Sequence, residues 1–144
     1  CEYGDDTAIF GFGTTGSYIG VTNLVSNAGV VASDVAAVGT ARAYLAACDY
    51  DGDKGIFGFG TTGSYTGVTN LVSNTGVVAS DVAGVGTARQ LAATQYGGDK
   101  AIFAFGHDGS EVSMSNLVSN AGVVASDTAG VGTARYGLAA CSFN

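Results

Sequence analysis

The residue types that most often carry catalysis are scarce in this sequence. His107 is the only histidine, and the only glutamates, Glu2 and Glu111, occupy unrelated positions. A single histidine without a nucleophile elbow does not make a recognisable Ser-His-Asp arrangement, and no glutamate pair recurs for acid–base work on a glycoside. We therefore predict a protein that is not an enzyme.

A short acidic segment has the spacing of a calcium loop. Asp49, Asp51 and Asp53 place carboxylates at its first, third and fifth positions, as calcium loops do. The matching segment further along, residues 95–99, lacks two of them, and no glutamate stands at the twelfth position. A hairpin turn rich in Asp and Gly explains the same residues, so we expect no metal and no cofactor.

Polar loops are the best candidates for a binding site. Residues 14–20, 61–67 and 107–111 combine Thr, Ser and Gly with aromatic residues, a composition that suits sugar or protein recognition. A solvated loop without a ligand explains it equally. Four residues are predicted to bind a ligand: Tyr18, Tyr65, His107 and Asp108.

Three kinds of polar residue recur in register. They are Arg42, Arg89 and Arg135; Asn23, Asn70 and Asn116; and Asp34, Asp81 and Asp127. The arginines could form an anion-binding ring. We favour an architectural role, because a guanidinium group has five donors in a fixed fork and can bond backbone carbonyls or the aspartates between units. The asparagines are predicted to satisfy turn backbone.

The sequence consists of one unit repeated three times. Residues 9–18 are identical to residues 56–65, and the phrase Asn-Leu-Val-Ser-Asn occurs three times, at a period of 46 to 47 residues. Such a period indicates a supersecondary repeat. We predict a single domain, 1–144, with repeats at approximately 1–47, 48–93 and 94–140, and with 141–144 beginning a further repeat.

Composition limits the classes of protein. The 144 residues are 47% hydrophobic and 12% charged, with a net charge of −7. Such a chain can form a core, and its acidity disfavours nucleic acid as a partner. No apolar run approaches the length of a membrane span. The sequence also lacks an initiator Met, which fits a processed product or a piece of a longer protein.

Each repeat is predicted to contain four short antiparallel strands. In the third repeat they are residues 91–96, 101–106, 112–119 and 123–126, with Phe103 and Phe105 on one face of the second strand. No window shows a helical apolar stripe, and 24 glycines punctuate the apolar runs. Four strands in about 47 residues is typical of a propeller blade. We therefore predict an all-β propeller with three four-stranded blades per chain.

The order of features within the unit resembles a kelch repeat. Arg89 precedes a strand of small residues, the turn 97–100 follows, and an aromatic strand ends at Gly106 before Asn116 and a third strand. A looser similarity exists to chromosome-condensation-regulator propellers. The fourth-strand Trp of kelch units is absent, since the chain has no Trp. The resemblance implies a β-propeller and covers nearly the whole chain.

Near-identical copies indicate recent amplification of one blade. Sequences with such near-identical tandem repeats resemble repetitive surface or virion structural proteins. The predicted function is a non-enzymatic structural and interaction module of an extracellular or virion-surface assembly. The alternative is a carbohydrate-binding, lectin-like propeller that uses the Tyr-bearing loops. Possible partners are a glycan or a surface protein.

Three blades are too few to close a ring. We expect two chains to form a six-bladed homodimer in which residues 137–143 of one chain pair with residues 8–13 of the other; the alternative is a longer array. The cysteines Cys1, Cys48 and Cys141 match no zinc spacing. They are read either as small buried strand residues or as a disulfide between Cys1 and Cys141.

Overall fold

The computed structural model describes residues 1–4 and 6–143, and the described part of the chain is all β, with no helix. The strands are β1 (Glu2–Tyr3), β2 (Thr7–Thr14), β3 (Tyr18–Val25), β4 (Ala46–Tyr50), β5 (Lys54–Gly58), β6 (Thr69–Val72), β7 (Gln90–Tyr96), β8 (Lys100–His107) and β9 (Glu111–Val118). The prediction of an all-β chain is confirmed. Among these residues no helix exists that could cross a membrane.

The strands form three separate antiparallel sheets, one per repeat. Their orders are β1-β2-β3, β4-β5-β6 and β7-β8-β9, and none of the sheets closes on itself. The β7–β8 hairpin shows the local cause: Gly97 and Gly98 turn the chain at φ of 66° and 80°, which glycine adopts without strain. Tyr96 then pairs with Lys100.

The predicted fourth strand contacts the third strand only at isolated points. In the third repeat the bridges are Val118 to Val124 and Ser115 to Thr128, and the first two repeats contain equivalent bridges. Asn116 Nδ2 donates to the backbone carbonyl of Ala125 beside these bridges, and a side-chain bond of this kind competes with a backbone ladder. The four-stranded blade therefore stays a prediction.

A residue with positive φ reverses one aromatic side chain in each repeat; it forms a bulge within β2 and β8 and lies just beyond the end of β5. Phe12, Phe59 and Phe105 have φ of 64°, 63° and 60°, and the register of β8 shifts at this point. Phe103 packs on Phe59 of the preceding sheet, whereas Phe105 lies under Arg135 on the other side. The prediction that Phe103 and Phe105 share a face is wrong, because the bulge breaks the two-residue alternation.

The core lies between consecutive sheets. The rings of Phe12 and Phe57 are 5.2 Å apart at the first junction, and those of Phe59 and Phe103 are 5.1 Å apart at the second. Gly58 makes room for the second pair, because a Cβ there would lie 2.6 Å from the Phe103 ring. Each junction is therefore an apolar core formed by two neighbouring repeats.

The last described segment forms no strand. Residues 137–143, expected as a lone first strand, lack any strand assignment, and Phe143 is 96% exposed. A strand needs a neighbouring strand for its backbone hydrogen bonds, and the described residues supply none there. Asn144, the last residue of the predicted further repeat, lies outside the described residues.

Candidate functional site

Two of the predicted ligand-binding residues come together. Tyr65 Oη lies 2.6 Å from His107 Nδ1, and the backbone N–H of Gly109 also donates to this nitrogen. Because a backbone N–H can only donate, Nδ1 accepts the bond from Gly109. The tyrosine of the second repeat is thus bonded to the histidine of the third.

The other two predicted residues do not join this pair. Tyr18 begins β3 opposite Thr14 and makes no side-chain hydrogen bond to the described residues. Asp108 accepts a bond from the N–H of Ser110 within its own turn, as Asp commonly does. Of the four residues predicted to bind a ligand, only Tyr65 and His107 therefore contact each other.

A third aromatic residue extends the cluster to a cavity. The rings of His107 and Tyr136 are 5.1 Å apart. Tyr136 also lines a cavity of about 350 Å³, a size at the lower end of small-ligand sites. The remaining lining residues are Tyr44, Leu45, Gln90, Leu91, Gly137 and Leu138.

The cavity arises where the repeats differ in length. In each repeat a short segment separates the recurring arginine from the next leucine. This segment is Ala43 and Tyr44 in the first repeat, Gln90 alone in the second, and Tyr136 and Gly137 in the third. Tyr44 and Gly137 have left-handed φ of 54° and 65°. Tyr44 is 63% exposed. Sequence reasoning missed these residues, although the one-residue change in period marked the place.

The chemistry available at this site is binding. Aromatic faces and leucines offer apolar surface, and the Gln90 amide and the tyrosine hydroxyls offer hydrogen bonds to a neutral polar ligand. Within residues 1–4 and 6–143, no group of three or more His, Cys, Asp or Glu side chains could hold a metal ion. Around the Asp49–Asp53 turn, Lys54 Nζ lies 2.7 Å from Asp51 and 3.1 Å from Asp53.

The recurring arginines cross the junctions between repeats. Arg89 is fully buried. Its Nε donates to Phe105 O at 2.9 Å, its Nη1 to Thr87 O at 2.9 Å, and its Nη2 to Asn116 Oδ1 at 2.7 Å. The guanidinium also lies 5.0 Å from the Phe59 ring centre. This one side chain therefore joins the second repeat to the third.

Arg42 makes the equivalent connection at the first junction. Its Nε donates to Phe59 O at 3.0 Å, and burial lowers its pKa to about 10, opposed by the charge of Asp81. The group therefore stays protonated at neutral pH. Arg42 Nη2 and Asn70 Oδ1 occupy the positions of the Arg89–Asn116 bond, and they are the buried side-chain atoms without a partner in the described chain.

The recurring aspartates receive a loop from the preceding repeat. Asp81 accepts bonds from the N–H and hydroxyl of Thr40 and from Asn70 Nδ2. Burial would raise the pKa of this carboxyl, but the bonds from Thr40 and Asn70 outweigh it and lower the pKa. Asp127 has the same arrangement with Thr87 and Asn116, and its pKa is also lowered.

The outermost copies of these residues have fewer partners. Arg135 is exposed, and its guanidinium donates only to Thr133 O among the described residues. At the other end, Asn23 donates to Ala32 O and to Asp34, and no described threonine bonds to Asp34.

The three cysteines are free thiols, and no disulfide joins Cys1 to Cys141 in the structure. Cys48 is buried, Cys1 is partly buried and Cys141 is exposed. Burial raises the pKa of the Cys48 thiol to about 12. A thiol that stays protonated is a poor nucleophile, so Cys48 acts as a small apolar residue of the core.

Comparison with known proteins gives the site no relative from which to take a role. No protein-family model matches the chain, and no curated protein shows significant similarity to it.

Proposed function

We propose that this chain is a non-enzymatic structural and interaction module of an extracellular or virion-surface assembly. The observation that carries this proposal is the use of the recurring polar side chains. Arg42, Arg89, Asp81 and Asp127 all bond across junctions between repeats. Charged groups so occupied maintain architecture, and the variable loops are left for contact with partners.

We further propose that the repeats are kelch-like blades arranged as in a propeller. Sheets stacked face to face lie ~10 Å apart, so in a straight stack equivalent residues of the first and third repeats would be roughly 20 Å apart. Yet one cavity is lined by Tyr44, Gln90 and Tyr136, which follow the three junction arginines. Convergence of equivalent segments supports a radial arrangement, and the bridged fourth segments fit blades of four strands.

The location of the protein tests the structural proposal. Gold-labelled antibodies against the chain should decorate the outside of intact source cells or particles in electron micrographs. Labelling of sectioned material serves as the control that the epitope is present. Label confined to the interior of cells would contradict the proposal.

The aromatic cavity supports a second candidate function, carbohydrate binding. A pyranose presents an apolar face that can lie on Tyr136 or Tyr44 and hydroxyls that can bond the Gln90 amide. The volume of about 350 Å³ suits one sugar unit. This candidate differs from the alternative derived from sequence, because Tyr136 lines the cavity and Tyr18 does not. Tyr65 is connected to the cavity through His107, whose ring lies beside Tyr136.

Glycan-array binding tests this candidate. Tyr136→Ala should reduce the signal at least tenfold, because it removes the side chain shared by the cavity and the His107 cluster, and stacking aromatics dominate such sites. Tyr18→Ala is the matched control, since it also removes an exposed tyrosine, and it should leave the signal unchanged. Equal losses in both variants, or no glycan signal for the wild type, would exclude the site.

A further inference from the structure

At each of the two interior junctions, the preceding repeat supplies an arginine, a threonine and a phenylalanine ring, and the following repeat supplies an aspartate, a carbonyl and a second phenylalanine ring. The third repeat presents the first of these sets at one end of the array, and the first repeat presents the second set at the other end. We infer that these two sets bind each other between two copies of this chain, head to tail. The leading face comprises Phe10, Asn23 and Asp34, and the trailing face comprises Phe105, Gly132, Thr133 and Arg135. This assembly rests on the structural role proposed above, and it names the partner as a second copy.

Arg135 is already placed for such a contact. Its carbonyl accepts a bond from Gly106 N at 2.9 Å, as Arg89 accepts one from Gly60 N at 3.0 Å. Its guanidinium lies 3.9 Å from the centre of the Phe105 ring. Unlike the fully buried Arg42 and Arg89, it is exposed. Both buried arginines donate from Nε to a carbonyl, but no described carbonyl accepts from the Nε of Arg135.

The acceptor it needs is available on the leading repeat. Phe12 has φ of 64°, close to the 63° of Phe59 and the 60° of Phe105. The carbonyls of Phe59 and Phe105 accept from the buried arginines. Because Phe12 has the same bulge, it can offer its carbonyl to Arg135 of another copy in the same way.

The aspartate half of the junction is also complete on the leading face. Asn23 Nδ2 holds Asp34 at 2.8 Å, as Asn70 holds Asp81 at 2.9 Å. At the interior junctions a Cβ on Gly39 or on Gly86 would overlap the bound aspartate.

On the trailing face no described residue occupies the receiving loop. Gly132 has the same left-handed conformation, φ 85° against 82° for Gly39, and a Cβ on it would meet nothing within 4 Å. Thr133 follows it as Thr40 follows Gly39. The loop therefore matches the loops that receive Asp81 and Asp127 in conformation and sequence, and Asp34 of a second copy has the chemistry to occupy it.

The apolar half of the junction is exposed at the leading end. Phe10 is 63% exposed, whereas Phe57 and Phe103, its counterparts, are 3% and 0% exposed. Phe105 is only partly buried and offers a ring like those of Phe12 and Phe59. One residue differs at this seat, where Ala104 replaces the glycines Gly11 and Gly58. Because a Cβ on Gly58 would lie 2.6 Å from the Phe103 ring, the incoming Phe10 ring must shift outward from the position that Phe103 takes.

A head-to-tail contact generates a closed ring when its rotation closes and a filament when it does not. The described residues of each 144-residue chain contribute three sheets. Two copies therefore provide six, within the range of known propellers. A dimer with two identical head-to-tail junctions is the expected assembly.

Sedimentation equilibrium of the 144-residue chain tests this expectation. The wild type should sediment as a dimer, and Asp34→Ala and Arg135→Ala should each weaken dimerisation at least tenfold. Circular dichroism should show that both variants keep the wild-type strand content. Tyr18→Ala, which lies on neither face, should dimerise as the wild type does. A folded wild type that remains monomeric throughout would overturn the inference.

Mixing the two variants separates head-to-tail docking from a symmetric contact between like faces. In a mixed dimer of Asp34→Ala and Arg135→Ala, both substitutions fall in one junction and the other junction is intact. The mixed dimer should therefore be tighter than either variant alone. Equal affinities for mixed and unmixed variants would overturn the head-to-tail assignment, whatever the antibody labelling shows about location.

Discussion

Arg89→Ala should lower the free energy of unfolding by about 3–5 kcal/mol. Arg89 is fully buried, and its three donor groups bond Phe105 O, Thr87 O and Asn116 Oδ1. Removing it leaves these acceptors without their donor inside the junction and opens a cavity against the Phe59 ring. Chemical denaturation of wild type and variant, followed by circular dichroism, measures the loss.

Two further variants make the prediction specific. Arg135→Ala removes the same residue type from the same repeat position, but Arg135 is exposed, so its loss should be about 1 kcal/mol or less in dilute, monomeric protein. Arg89→Lys keeps the charge but not the planar fork, so it should retain most of the Arg89→Ala defect. Equal effects at Arg89 and Arg135, or full recovery with lysine, would contradict the proposed role of the fork.

Strand positions were largely predictable because short-range rules determine them. Residues 103–106 alternate large and small side chains, in a run that follows Gly97 and Gly98. The structure places β8 at Lys100–His107 after a turn at these glycines. Turn chemistry and two-residue periodicity act within a few residues. Because the three repeats carry nearly the same residues at equivalent positions, each repeat gave the same strand prediction.

The bulges could not be predicted by the same rules. Phe12 adopts φ of 64°, a conformation that bulky residues rarely take and that local propensity therefore does not favour. Contacts with a distant residue of the same repeat stabilise it, since the bulge presents the ring to Arg42 at 4.2 Å and the N–H of Gly13 to the Arg42 carbonyl at 2.9 Å. Both depend on residues some thirty positions away in the chain.

The candidate site was half predictable. Tyr65 and His107 stood out as aromatic residues in polar loops, but their bond at 2.6 Å depends on how neighbouring repeats are placed. Tyr44 and Tyr136 were not among the predicted binding residues. Their meeting at one cavity depends on how the repeats are placed, and the one-residue change in period was the sequence signal for it.

Phe103→Ala should also lower the free energy of unfolding by about 3–5 kcal/mol. The Phe103 ring has no exposed surface, lies 5.1 Å from the Phe59 ring, and fills the space beside Gly58. Because Gly58 contributes no side chain, the neighbours cannot close the cavity that the substitution leaves. The same denaturation measurement gives the size of the loss.

Phe10 provides the matched control, since it occupies the same position in the first repeat and is 63% exposed. Phe10→Ala should change the free energy of unfolding by only about 0.5 kcal/mol when the protein is dilute and monomeric. A difference between identical substitutions at equivalent positions must come from the neighbouring repeat, because the local sequences are nearly the same. If Phe10→Ala and Phe103→Ala destabilised the monomer equally, packing between consecutive sheets would not be the source of the core's stability.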